Sequence, residues 1–365
     1  MIKRHTYWAL LIFLTVTFPV STYCADSIKQ ESGVLDGDGK TIWYSGALLG
    51  VEGKGWENTE SFYDRLPLKA KETVRRQVWN LSHCSAGMRI RFVTDAKNIQ
   101  VRWTLTKKSL AMPHMPATGV SGIDLYARDK AGKLRFCANG SPKKLSNQAS
   151  FSLPASTEYV LYLPLYNGLK SIELGLPKDE QLSKIPCPPT SESIVFYGTS
   201  ITQGACASRP GMAATTITSR ELSTQVINLG FSGNGKMEIE MAELLSELDP
   251  AIYVLDCLWN MTPQLVSERA EPFIIRLRKT RPTTPIILVE DSSFRGLPSE
   301  KGNILREIFT KLIKQDDKNL YFLPNKNMLG QDFDGTVDGI HPNDLGMARQ
   351  AAVFIQCLKP ILEKK

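Results

Sequence analysis

A chain of 365 residues, 42% apolar and 22% charged, has the composition of an ordinary globular protein long enough for two domains, which sets aside disordered and fibrous readings. Its formal charge of +7 is spread along the chain with no dense basic run, so nucleic acid is not an expected partner.

At the N-terminus, Lys3 and Arg4 precede an apolar run from Tyr7 to Val20, and small or polar residues follow from Ser21. This is the pattern of a secretory signal, residues 1–25, with cleavage expected near Cys24 or Ala25. Loss of Lys3 and Arg4 would lower the formal charge from +7 to +5. The run is shorter than the roughly twenty residues needed to span a bilayer, so a membrane anchor is the weaker reading. Cys24 as a lipidated cysteine is also weaker, because the bulky Tyr23 precedes it. No later segment is apolar for long enough to cross a membrane. The mature chain is therefore expected to be soluble and exported, periplasmic or secreted. It would keep Cys84, Cys137, Cys187, Cys206, Cys257 and Cys357, whose spacings show neither a disulfide framework nor a zinc pattern.

From residue 26 to 184 the chain reads as short strands separated by turn residues: 87–92, 99–105, 122–126, 134–138, 159–164 and 171–176. Strands without a long helical pattern imply an all-β sandwich. The segment 185–192, rich in proline and small polar residues, reads as an extended linker. Beyond it, in 193–365, apolar strands at 193–197, 225–229, 251–256 and 285–289 alternate with helical stretches such as 237–247 and 266–279. That alternation predicts an α/β domain, a three-layer parallel sheet with its active site at the carboxyl ends of the strands.

Four motifs sit just after those strands or before the last helix. Ile194-Val-Phe-Tyr-Gly-Thr-Ser-Ile-Thr-Gln-Gly204 is a strand that breaks at Gly198 and presents Ser200; a lone serine there is ordinarily a helix cap. Asn228-Leu-Gly-Phe-Ser-Gly233 is a glycine turn, and Asp256-Cys-Leu-Trp-Asn260 brings polar and aromatic residues to a third strand end. Asp338-Gly-Ile-His341 precedes a helix whose expected apolar positions are Leu345, Ala348, Ala351, Val353, Leu358 and Ile361. A serine hydroxyl becomes a competent nucleophile only beside a base, and the imidazolium so formed needs an oriented carboxylate. Ser200, His341 and Asp338 supply these types, while Ser200 and Gly233 backbone N–H groups and the Asn260 amide are candidate oxyanion donors.

With these residues the C-terminal half resembles the SGNH, or GDSL-like, hydrolase superfamily. Thr199 stands where many members have Asp, and the asparagine block departs from the frequent Gly-x-Asn-Asp form. The first half resembles the N-terminal β-domain named GxDLY, through Gly122-Ile-Asp-Leu-Tyr126. The resemblance implies an exported serine esterase acting on an acylated carbohydrate, with acetyl as the expected acyl group and neither metal nor organic cofactor.

Two other functions compete. Gly230-Phe-Ser-Gly-Asn-Gly-Lys236 has the spacing of a phosphate-binding loop, but Met237 follows where a magnesium site needs Ser or Thr. A catalytically silent glycan-binding protein would suit the β-domain, yet has no need of the three catalytic residue types together. Among single residues, His83 reads as surface or packing. His114, in the irregular loop 111–119, is a candidate for the active-site rim. Trp259 could stack on a sugar, with packing the commoner role of such an aromatic. Arg209 could meet an acidic sugar, with a solvated arginine as the ordinary reading. The β-domain is expected to contribute to the active-site rim; if loop 111–119 covers the carboxyl end of the sheet, deleting residues 26–184 would impair glycan esters far more than a small aryl acetate.

Overall fold

The computed structural model describes residues 25–292 and 298–364. The expected signal segment up to Cys24 lies outside the described residues. The cleavage readings at Cys24 therefore gain no structural account.

Along Asn98–Leu105, Ile99, Val101, Trp103 and Leu105 turn inward while Gln100, Arg102 and Thr104 stay on the wetter face. Strands of this kind form two antiparallel sheets. One runs Asp26–Ser27, Leu182–Lys184, Arg89–Thr94, Tyr159–Tyr162, Ile123–Arg128, Leu134–Gly140. The other runs Val34–Leu35, Thr41–Ser45, Leu169–Pro177, Asn98–Leu105, Ser146–Ser152. Ile90, Phe92, Val101, Trp103, Ile123, Leu161, Ile172 and Leu174 fill the core between them, so the expected sandwich is present.

Beyond residue 193 five parallel strands lie in the order Val226–Gly230, Ile194–Gly198, Ile252–Asp256, Ile286–Val289, Leu320–Leu323. Alternate residues feed opposite faces. Val195, Tyr197, Ile227, Leu229 and Leu255 pack with the helices Ile239–Glu247, Pro263–Thr280 and Glu300–Lys314. Ile194, Phe196, Val226, Val254 and Ile287 pack with Ala214–Leu222 and Asp344–Leu362. This is the expected three-layer architecture. Side-chain caps start the longer helices: Thr262 accepts from Leu265 N, Ser299 from Gly302 N and Asn343 from Gly346 N. In the last helix the buried face is Met347, Ala351, Phe354, Leu358 and Ile361. Leu345 and Ala348, expected on that face, are exposed. Leu345 lies two residues from Met347, which at 3.6 residues per turn is about 200° around the helix.

The sandwich keeps a core of its own, but the first half also packs into both faces of the parallel sheet. Leu66, Ala70, Val74, Val78 and Trp79 from the first half are buried in the cluster formed by Ile239–Glu247 and Pro263–Thr280. Ala86, Met115, Val120, Leu165 and Tyr166 enter the cluster on the other face of the parallel sheet. All six cysteines among the described residues are free, and no helix among those residues is long and apolar enough to cross a membrane.

Candidate active site

The strand Ile194–Gly198 is flanked by strands reached in opposite directions, so its carboxyl end is the topological switch point of the sheet, where such folds leave a crevice. Ser200 sits there, opening a single helical turn Ser200–Gln203 capped by Thr199, whose hydroxyl accepts from Ile201 N. Its side chain meets His341: Oγ and Nε2 are 3.0 Å apart. His341 Nδ1 is 2.7 Å from Asp338 Oδ2, and Asp338 Oδ1 accepts from the backbone N–H groups of Ile340 at 2.9 Å and His341 at 2.7 Å. Burial pushes the Asp338 carboxyl up, but the hydrogen bonds from the His341 ring and these backbone groups outweigh it and hold the carboxyl down to about 2. An ionised carboxylate only accepts, so Nδ1 carries the proton and Nε2 is left to accept from the Ser200 hydroxyl. The loop is fixed locally by Val337 N donating to His341 O, and to the segment that follows Ser200 by Cys206 N donating to Pro342 O.

The turn 231–234 is closed by Asn234 N donating to Phe231 O at 2.8 Å, with Gly233 at φ +69°. Gly233 N has no acceptor among the described residues, and nothing lies within 4 Å of where its Cβ would be. Asn260 gives one amide hydrogen to Asn234 O at 2.8 Å, which brings it to the same turn with its second hydrogen free. Gly233 and the Asn260 amide therefore share one turn, in the loop after the strand that neighbours Ile194–Gly198.

The other expected residues separate. The His114 ring is 5.8 Å from the His341 ring, so the loop of the β-rich half reaches His341. Trp259 is half-buried, its indole N–H donating to Ser292 Oγ at 3.0 Å and Lys301 Nζ lying 5.6 Å over its ring. A stacking surface for sugar is thus partly covered. Arg209 requires a correction: its Nη1 donates to Asp124 Oδ2 at 2.9 Å and Tyr126 Oη at 2.7 Å, and its guanidinium lies 4.0 Å over Phe136. A cation already paired by a fully buried carboxylate joins the two halves instead of awaiting an acidic sugar.

Three residues took no role in the sequence reading. Tyr166 Oη donates to the Ser200 carbonyl at 3.0 Å, Gln203 joins Leu165 O to Ser232 N, and Arg65 reaches the carbonyls of Asn228 and Gly230. Gln203 lies in the serine motif and the other two in none, and each contact spans distant parts of the chain. The histidine and carboxylate cluster Glu60, Asp64 and His83 has the spacing to hold a cation. It is already satisfied as an ion network, with His83 Nδ1 at 2.9 Å from Asp64 and Lys71 on Glu60 at 2.7 Å. The phosphate-loop reading also fails: the helix begins at Ile239, beyond Lys236, and the Gly235 backbone packs on Gly198 O, leaving no cradle.

Residues 191–359 match the GDSL-like lipase/acylhydrolase family, and residues 41–182 match the N-terminal region of SGNH-hydrolase-type esterases. Among solved structures, a protein of Bacteroides ovatus assigned as a GDSL-like lipase is 35% identical, with a TM-score of 0.82 over 88% of this chain and 98% of that one. A salicylyl-acyltransferase from a tetracycline biosynthetic pathway shares the fold at 18% identity and a TM-score of 0.67, over 86% of this chain and 94% of that one. A family two carbohydrate esterase from Clostridium thermocellum, in complex with cellohexaose, shares it at 14% identity and a TM-score of 0.51, over 76% and 93%. No curated protein matches.

Proposed function

Because this chain belongs to the GDSL-like lipase/acylhydrolase family and is a carboxylic ester hydrolase, we propose that it removes O-acetyl groups from a carbohydrate after export, with Ser200, His341 and Asp338 as its triad. The observation that carries the reading is the unbroken contact chain Ser200 to His341 at 3.0 Å and His341 to Asp338 at 2.7 Å. Ser200 Oγ attacks the acyl carbon as its proton passes to His341 Nε2, and Asp338 stabilises the imidazolium. The N–H groups of Ser200 and Gly233 and the Asn260 amide receive the oxyanion. Collapse expels the sugar alkoxide, which takes the proton from Nε2, and leaves an acyl-enzyme. Water, deprotonated by His341, then attacks the acyl carbon, and Ser200 leaves with that proton as the acid departs.

Carbohydrate as the alcohol is supported by the family resemblance and by the fold neighbour that is a carbohydrate esterase. Export is supported by the charged and apolar pattern of residues 3–20. A silent glycan binder is disfavoured, since it needs no aligned serine and imidazole. The test is acetate release from a panel of acetylated oligosaccharides by the wild type and Ser200→Ala. The variant is expected to lose at least about a thousandfold in rate while keeping its fold. Acetate release by the variant at more than about a hundredth of the wild-type rate would remove Ser200 as nucleophile; no release by the wild type would remove the substrate class.

A further inference from the structure

We infer that Arg65, supplied by the β-rich half, is a positioning residue for the oxyanion hole of the α/β half. The inference rests on Ser200 as nucleophile and Gly233 as oxyanion donor. Arg65 is 1% exposed, and among the described residues no carboxylate bonds it. Its fork donates instead to four main-chain carbonyls. Nε to Cys84 O at 2.8 Å and Nη2 to Leu81 O at 2.7 Å tie it to its own half. Nη1 reaches across to Asn228 O at 3.0 Å and Gly230 O at 2.6 Å, and the guanidinium lies 4.7 Å over the Phe231 ring.

Those partners are the end of a strand and the first residue of the turn that presents Gly233. With the two carbonyls and the Phe231 ring held, the direction of the Gly233 N–H is set before any substrate arrives, which is what makes such a donor effective. Burial pushes the guanidinium down to about 10, so it is still charged at neutral pH. An apolar side chain of similar volume would fill the place without the desolvation cost of a cation. The planar fork is what an apolar residue lacks: it joins carbonyls of both halves in one rigid plane. Arg65 touches neither Ser200 nor His341, so it acts through the turn.

The experiment compares Arg65→Met and Arg65→Lys with the wild type and Ser200→Ala, all as full chains, on a small aryl acetate. Arg65→Met is expected to lower kcat by about a hundredfold, the scale of one lost oxyanion donor, with KM within about threefold. Arg65→Lys should fall between, since an ammonium reaches fewer carbonyls at once. A boronic acid, which forms a tetrahedral adduct on the serine, should bind more weakly by a similar factor, while the pH profile of kcat/KM keeps its shape. The inference is overturned by an unchanged kcat with only a lower Tm, by a change confined to KM, or by a shifted pH profile. Failure of both Arg65 variants to fold, judged by circular dichroism and gel filtration, would assign the residue to the fold alone and overturn it too. Residual activity in Ser200→Ala removes the premise; an inactive Ser200→Ala beside unimpaired Arg65 variants removes the inference alone.

Discussion

Asp338 gathers hydrogen bonds from the His341 ring and from two backbone N–H groups, all of which need it ionised. Its folded value, held down to about 2, lies below the ordinary carboxylate value, so these bonds are intact above pH 4 and are lost as pH falls toward 2. Its side chain is 43% exposed, so the effect is on the site more than on global stability. Asp338→Asn is expected to lower kcat by about 10³–10⁴ with Tm almost unchanged, because an amide can donate to Nδ1 and favour the wrong tautomer. Steady-state kinetics and calorimetry on one preparation check both halves. Asp256 behaves in the opposite sense. Burial pushes its carboxyl up to about 6 against a hydrogen bond from Thr202, with Asp291 adding to the rise. The native state then keeps a proton that the unfolded chain loses, and stability falls between about pH 4 and 6 by about 3 kcal/mol. Asp256→Asn should therefore be more stable than the wild type at pH 8 and nearly equal at pH 4. Urea midpoints at the two pH values that show no widening gap would count against a buried, reluctant carboxyl.

Turns and strands explain which parts of the site could be read in advance. Ser200, and Asp338 with His341, were legible because each motif sits immediately beside a strand or helix with a strong apolar pattern. Gly233 was singled out by its motif, but the different surroundings of the nearby Gly235 were not legible. Gly233 faces open space, whereas a Cβ on Gly235 would stand 2.1 Å from Gly198 O. Gly233→Ala should cost only its positive-φ backbone, about 1 kcal/mol, while Gly235→Ala must move the strand Ile194–Gly198 and lose far more in Tm. Similar Tm values for the two variants would contradict that contrast. The strand Ile123–Arg128 was legible as a motif but not as a device. Asp124 Oδ2 receives both Arg209 Nη1 at 2.9 Å and Gly211 N at 2.7 Å from the other half. Asp124→Ala leaves a half-buried cation unpaired and is expected to destabilise by about 3 kcal/mol, seen as a lower urea midpoint. Edge strands such as Ser146–Ser152, with only Asn147 and Phe151 buried, escaped a reading based on alternation because polar residues dominate them.

Across the whole molecule the two sequences behave as one packed body, and this was the least legible feature. Sequence periodicity identifies a sandwich and a parallel sheet, but says nothing of Leu66, Val78 and Trp79 burying themselves in the helices of the other half. The expectation that losing residues 26–184 would spare small esters therefore gives way. Without Tyr166 on the Ser200 carbonyl and with an apolar face uncovered, a chain of residues 185–365 should lose activity on aryl acetate and glycan esters alike. Assaying both on that truncated chain decides between a supporting half and a removable rim. The intact chain should unfold in one transition by fluorescence and circular dichroism, not in two. The same burial also bears on how the protein is made. A ribosome delivers Leu66 to Trp79 well before Leu245 or Leu288, with which they share a core. At 5–20 residues per second the intervening roughly 200 residues take about 10–40 s. For that interval Leu66, Ala70, Val74, Val78 and Trp79 have no native surface to cover them, so the first half cannot finish folding until the second has been synthesised.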